Sequence, residues 1–278
     1  MNLAAPNRPQ APFGTRQAEV IERREAGPYV VLTALDGLGP KPVAGQFYML
    51  RTANGWGAGE DGRPYLPRAL SYARCVERED GLALDFLFEG VGPGTGRLAD
   101  IQTGEHVILT GPFGNGFALD PARWPLLVAG GIGLAPIVAL DDELRELDGV
   151  RAEVLIGMRS AAHADAISIY DLEHDLATDD GSAGRGGFVT ELLAEAIDRR
   201  AESTVYACGP PAMLESVRLL CADRDVPAQL AMESGMACGF GACFGCVVPT
   251  KDGYQRLCVD GPVIDAACLD TAITVGGH

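Results

Sequence analysis

The stretch LLVAGGIGLAPI, residues 126–137, decides the fold. Its first four residues are apolar and read as a buried strand, and residues 134–147 then take up a helical period. Between them stand Gly130, Gly131 and Gly133, which let the backbone approach a nucleotide pyrophosphate closely at a helix start. Pro136 occupies the place of the third glycine in the usual G-x-G-x-x-G fingerprint, so taken alone the turn also fits a plain strand-turn-helix.

Downstream, strands at residues 152–157 and 204–207 alternate with helices at 189–197 and 212–221, which predicts a parallel sheet with crossover helices. ACGPPAML, residues 207–214, ends the later strand at the sheet's carboxyl edge, where open α/β sheets bind ligands. Taken by itself, Cys208 reads equally as a small buried residue. Upstream the pattern changes. TRQAEVIER, YVVLTAL, GQFYMLRT, ALSYARCVE, LALDFLFEG and HVILT are short β-rich runs separated by Gly and Pro, as in a small antiparallel barrel, with one short helix at 94–101. GPFGNGF, residues 111–117, reads as the handover to the next domain or as a plain linker. The expected partition is 1–122 barrel, 123–232 parallel-sheet nucleotide domain and 233–278 a small C-terminal module.

Composition narrows the function. The 278 residues are 47% hydrophobic, enough for two domains and a small third. Asp and Glu number 38 against 22 Lys and Arg, a formal net charge of −16, and no basic block offsets it, so nucleic acid is excluded as a partner. The opening MNLAAPNRPQAPFG lacks a continuous apolar core, so export is not expected. The longest uncharged run, residues 124–140, is interrupted by Pro and Gly and reads as strand, turn and helix, so no membrane span is expected. A cytoplasmic location follows, and there eight cysteines point to metal or redox work, because the cytosol keeps thiols reduced.

Four of those cysteines crowd into CGFGACFGC and the segment after it. The spacing is Cys238-x4-Cys243-x2-Cys246, with Cys258 following. Four thiolates at plant-type ferredoxin spacing can ligate a 2Fe-2S centre. Gly239, Gly241 and Gly245 suit a loop of unusual dihedrals whose N–H groups point at sulfur. A structural zinc site also takes four cysteines, but it usually pairs two short clips, whereas here one loop supplies three ligands. Two weaker motifs lie in the barrel. RALSY, residues 68–72, offers a cation for a diphosphate and a hydroxyl for a flavin, although Arg68 and Ser71 fall on opposite faces of a regular strand. GPGTGRL, residues 92–98, is a Gly-rich turn whose amides and Thr95 hydroxyl suit a pyrophosphate or simply cap a turn.

Together these motifs resemble the ferredoxin-NADP reductase superfamily. Within it they resemble the FAD and iron-sulfur electron-transfer subunits of class 1B dihydroorotate dehydrogenases. The resemblance runs from GQF at Gly45 through TDDGSAGRGGFV at Thr178 to MESGMACGFGACFGCVV and CVDGPV. It implies that Arg68, Ala69, Leu70 and Ser71 bind FAD, that Leu87, Phe88 and Glu89 line it, and that Gly94 and Thr95 sit at its pyrophosphate. The family more often has proline where Ala69 stands. Gly130, Gly131, Gly133 and Pro136 would face the pyridine nucleotide, with Cys208, Gly209 and Pro210 near the nicotinamide. Cys238, Cys243, Cys246 and Cys258 would hold the 2Fe-2S cluster.

The resemblance also implies a relay between NAD(H), FAD and the cluster, serving an FMN-containing catalytic partner that oxidises dihydroorotate in a heterotetramer of two plus two subunits. Four histidines, none in a recognisable triad, agree with a relay that does no acid-base chemistry of its own. Arg159 and Ser160 offer one contact to a 2′-phosphate, whereas Asp179 and Asp180 favour NADH. Three other readings stay open: an oxygenase reductase, the small subunit of an NAD(P)H-ferredoxin or sulfide oxidoreductase, and a zinc-binding interaction module. An oxygenase reductase normally appends a complete ferredoxin domain, for which too few residues follow Met232.

Overall fold

A computed structural model describes residues 14–57, 64–147, 150–200 and 202–274. The opening stretch read for an export signal lies almost wholly outside the described residues, as do the last residues of the C-terminal module. No helix among the described residues is long and apolar enough to cross a membrane.

The β-rich half forms β1 (Arg16–Ala26), β2 (Tyr29–Asp36), β3 (Phe47–Thr52), β4 (Arg68–Arg78) and β5 (Gly81–Glu89), then helix α1 (Pro93–Ala99) and β6 (His106–Phe113). They close into an antiparallel barrel in the order β1-β2-β5-β4-β3-β6, so no strand edge is left open. Alternation along β3 shows why the sequence closes this way. Tyr48 and Leu50 enter the barrel core, while Phe47 and Met49 face outward into a second apolar cluster. A buried ion pair fastens the closure: Arg16 donates to both oxygens of Asp36 (2.7 Å at the shortest) and to the Gly111 carbonyl at 2.8 Å. Asp36 also accepts the amides of Leu38 and Gly39.

The second half runs β7 (Trp124–Gly130), α2 (Leu134–Glu146), β8 (Glu153–Met158), α3 (Ala161–Ala164), β9 (Asp175–Thr178), β10 (Arg185–Gly186), α4 (Val189–Arg199), β11 (Ser203–Cys208), α5 (Pro211–Asp223) and β12 (Ala228–Ala231). The strands stack in the order β10-β9-β8-β7-β11-β12, all parallel. After β7 the chain builds outward on one side, and from β11 on the other, so the topological switch lies between β7 and β11.

The remaining chain makes a hairpin, β13 (Val247–Thr250) with β14 (Gly253–Arg256), and then β15 (Val263–Asp265). β15 joins β12 antiparallel as a seventh strand, so the C-terminal segment extends the nucleotide sheet. Helix α2 ties that sheet to the barrel. Arg74 of β4 makes a two-pronged pair with Asp142 at 2.8 and 3.1 Å. Glu143 accepts the Ala44 amide at 2.6 Å and the Tyr72 hydroxyl at 3.3 Å, and burial pushes its carboxyl above the usual range.

Candidate functional site

The two glycine motifs of the second half meet at the switch point. β7 and β11 run side by side to Ala129 and Cys208. From there Gly131–Gly133 make a single 3-10 turn into α2. A side chain at Gly133 would strike the Cys208 carbonyl at 2.3 Å and the Gly209 amide at 2.6 Å, and one at Gly130 would strike Met213 Sδ at 2.4 Å. The turn and the strand end therefore pack backbone to backbone, and only glycine permits it. Gly131, at φ +54°, is less crowded: the one atom near its missing Cβ is the Tyr29 hydroxyl, in ordinary contact at 3.6 Å. That opening fits a pyrophosphate against bare backbone. Pro136 lies buried in the first turn of α2. Burial, and then the charge of Glu233, push the Cys208 thiol up to about 12, which favours its neutral form.

At the neighbouring ends of β8 and β9, Asp180 accepts both the amide (3.0 Å) and the hydroxyl (2.6 Å) of Ser182, and these bonds hold its carboxyl below the usual range. Ser182 in turn accepts the Ala161 amide at 2.7 Å, and Ser160 pairs with His163 at 2.8 Å. The polar groups around Arg159 are thus already partnered, and an acid stands beside them.

On the barrel, β4 pairs regularly with β3 over Arg68–Leu50 to Ser71–Phe47, and its bulge against β5 comes later, between Tyr72 and Arg74. Arg68 and Ser71 therefore do lie on opposite faces. Arg68 stands at the first position of the strand, and its long stem carries the guanidinium over α1. It ends 2.3–2.5 Å from where a side chain at Gly94 would begin, and it packs against Trp56 at 5.7 Å. A cation held above a bare glycine is a cradle for a diphosphate. A side chain at Gly92 or Gly96 would meet nothing within 4 Å, and the Thr95 hydroxyl accepts the Gly92 amide at 3.1 Å. Ala69 and Ser71 are half-buried on the outer face. The family resemblance sets Leu70, Leu87 and Phe88 against the flavin; all three are buried, Leu70 and Phe88 on the inner face of the barrel and Leu87, next in line to Phe88, on the other face. Glu89 pairs across the sheet with Tyr29, whose hydroxyl is pushed up to about 12 by burial and then by Glu89.

The cysteine loop carries the clearest chemistry. The Cys246 and Cys258 sulfurs stand 3.2 Å apart, and the Cys243 thiol helps to hold that of Cys238 below its usual range, so the four fall into two neighbouring pairs. Every sulfur also accepts main-chain N–H groups: Cys243 from Gly245, Cys246 from Cys258, Cys258 from Gly241, and Cys238 from Cys243, Phe240 and Ala242. Burial opposes ionisation of Cys238, yet those amides outweigh it and bring the thiol down to about 6. Left-handed φ values at Gly239, Gly241 and Phe244 aim the amides inward. Two thiol pairs in a nest of donors fit a two-iron centre, one pair for each metal. Cys246 and Cys258 are buried, whereas Cys243 is exposed beside Phe240 and Phe244.

Four contributors were not legible in the sequence. Asn115, in the glycine-rich turn read as a linker, holds the segment after Cys258: its amide donates to the Gly261 carbonyl at 2.5 Å, and its side chain donates to Val259 and Asp260. Tyr29 looks like ordinary strand core, yet its hydroxyl reaches the nucleotide turn. Met49 and Phe113, on the outer barrel face, are what Gly239 packs against.

Comparison with known proteins agrees with this geometry. Residues 127–219 match the oxidoreductase NAD-binding domain family, and residues 233–270 match the iron-sulfur cluster binding domain of dihydroorotate dehydrogenase B. The electron transfer subunit of dihydroorotate dehydrogenase B (NAD(+)) from Clostridium perfringens is 35% identical over 80% of this chain and 85% of its own length. The probable counterpart from Methanopyrus kandleri is 34% identical over 88% of both chains. Among solved structures, an NADH-dependent reduced ferredoxin-NADP oxidoreductase superposes with a TM-score of 0.77 at 24% identity, covering 93% of this chain and 91% of that one. Phthalate dioxygenase reductase does so at 0.60 and 16%, covering 92% and 97%. These two share the fold, and the sequence relatives carry the kinship further: the chain belongs to the family of electron transfer subunits of dihydroorotate dehydrogenase B.

Proposed function

We propose that this chain relays electrons between an FMN-containing dihydroorotate dehydrogenase subunit and NAD+. The observation that carries the reading is the cysteine loop, in which four sulfurs, paired and bonded to amides, sit beside a flavin-type barrel. When bound, FAD exchanges a hydride with NAD(H) and the 2Fe-2S centre carries single electrons. The chain's own residues bind, orient and insulate. Arg68 over Gly94, with Thr95, would neutralise the FAD diphosphate, and Ala69 and Ser71 would lie against its ring. The main chain at Leu70, Leu87, Phe88 and Glu89 would border it. Gly130, Gly131, Gly133 and Pro136 would admit the dinucleotide, with Cys208, Gly209 and Pro210 beneath the nicotinamide. Cys238, Cys243, Cys246 and Cys258 would hold the irons.

Residues 1–122, 123–232 and 233–278 are read as the FAD, NAD and cluster parts. Asp179 and Asp180 support NAD over NADP, because a carboxylate repels a 2′-phosphate. The partner is proposed to meet the face with exposed Cys243, Phe244 and Tyr254, in a two-plus-two heterotetramer. Eight free thiols suit a cytoplasmic complex.

The test is to purify the tagged chain from its own cells and assay the eluate. The expected result is an FMN subunit in the eluate, FAD and 2Fe-2S absorption, and reduction of NAD+ by dihydroorotate. Elution with a different oxidoreductase, and no dihydroorotate activity, would discard the pathway and keep only the relay.

A further inference from the structure

We infer that Met49, backed by Phe113, is the positioning residue that sets the gap between the flavin strand and the cluster loop. The inference rests on the cofactor placement proposed above. In the barrel, β3 lies between β4 and β6, and Met49 pairs across the sheet with Ala69, while Phe47 pairs with Ser71 on one side and Phe113 on the other. Because neighbouring residues alternate, Met49 and Phe47 stand on the same outer face as Ala69 and Ser71. Met49 is 3% exposed, and what covers it is the cysteine segment. Phe47, Met49, Met232, Cys246, Leu257 and Cys258 belong to one apolar cluster, with Ala69 and Phe113 packed at its margin.

The contact itself is close. Gly239, next to Cys238, has φ +79°, and a side chain there would lie 2.5 Å from Met49 Cγ, 3.0 Å from Met49 Sδ and 3.4 Å from a Phe113 ring carbon. A single layer of side chains therefore separates β3, the immediate neighbour of the strand proposed to bear the flavin, from the loop proposed to bear the cluster. Electron tunnelling weakens exponentially with separation, and faster across a void than through packed atoms. A flexible, polarizable thioether that fills an irregular gap keeps the path both short and filled. Glycine at 239 lets the loop seat directly on it. Phe113 meets the same point of the loop, 3.4 Å from where a side chain at Gly239 would begin, and packs on Phe47 with the rings 5.9 Å apart.

The test uses the full complex and single-turnover spectroscopy, following flavin bleaching by NADH and then cluster reduction. In Met49→Ala the truncation opens a cavity at the contact. The expected result is a flavin-to-cluster step slowed roughly tenfold or more, as misplacement of reacting centres does. Flavin bleaching, FAD content, iron and sulfide content, the cluster's EPR line shape and its midpoint potential are expected to stay as in the parent. Met49→Leu, close in volume, is expected to restore most of the rate. A fully loaded Met49→Ala complex that relays at the parental rate would overturn the inference.

If Met49→Ala fails to load its cofactors, the milder truncation Met49→Val opens a smaller void at the same contact. The same step should slow with potentials unchanged, and a parental rate there would equally reject the proposal. A parent protein lacking FAD or the cluster is a distinct result, because it would overturn the placement of the cofactors and not the role of Met49 alone.

Discussion

The barrel and the cysteine segment hold their shapes by opposite means. The barrel closes on itself: six strands pair all the way round, a buried Arg16–Asp36 pair fastens its seam, and its large core runs on into α2 and the nucleotide sheet. The cysteine segment has a two-stranded hairpin and almost no private core. It borrows a sheet edge from β12, packing from Met49, turn bonds from Asn115 and an anchor from Glu215 of α5. A segment this short meets the cost of ordering its backbone only by leaning on its neighbours and on metal. The contrast teaches where sequence changes will act: locally in the segment, and through the whole domain in the barrel.

The contrast can be broken in order of effect. Cys258→Ser should abolish the cluster, giving iron content near zero and fast hydrogen exchange across 233–270, while the barrel stays protected; retention of a full cluster would refute the ligand assignment. Asp36→Ala leaves Arg16 buried without its partner and should destabilise the barrel by about 3–5 kcal/mol, read from urea unfolding. If iron binding fell as steeply as barrel stability, the two regions would not be separable. Arg68→Ala should weaken FAD binding by roughly 1.5–3 kcal/mol, measured by flavin fluorescence titration, with the unfolding midpoint of the flavin-free chain hardly moved.

The smallest effect is expected at Glu215. It accepts the Ala272 amide at 2.6 Å and the Thr271 hydroxyl at 3.2 Å, and Arg218 first, then the Ala272 amide, bring its carboxyl down to about 2. A depressed carboxylate stabilises the fold above its ordinary value of 4.5 and loses that contribution as pH falls toward 2. Protection of the Ala272 amide, relative to the intrinsic rate at each pH, should therefore fall in that window, and in Glu215→Gln it should already be low at neutral pH. Unchanged exchange in the variant would remove Glu215 as an anchor.

Much of this was legible in the sequence, for identifiable reasons. The six barrel strands alternate and are bounded by Gly and Pro, and the helices after β7 and β11 carry clear periods, so both halves could be read. The cysteine spacing and its glycines were explicit. β9, β10, β12 and β15, two to four residues each, were missed, because strands so short are selected by the neighbours they pair with. Met49 and Phe113 look like any strand hydrophobe, since a pattern reports which face a residue occupies but not what covers that face. Leu70, Leu87 and Phe88 come from the family resemblance, and alternation adds to it that Leu70 and Phe88 face inward while Leu87 takes the other face.

The seventh strand gives the metal a second consequence. β15 closes the β12 side of the nucleotide sheet, and it comes from the segment that needs iron to keep its shape. A chain starved of iron thus stands to lose more than a carrier of charge. It would bare a row of unpaired amides and carbonyls along β12, the template on which chains stick to one another. Iron supply and freedom from self-association are therefore expected to be coupled through three residues of strand, which light scattering of the iron-free chain checks.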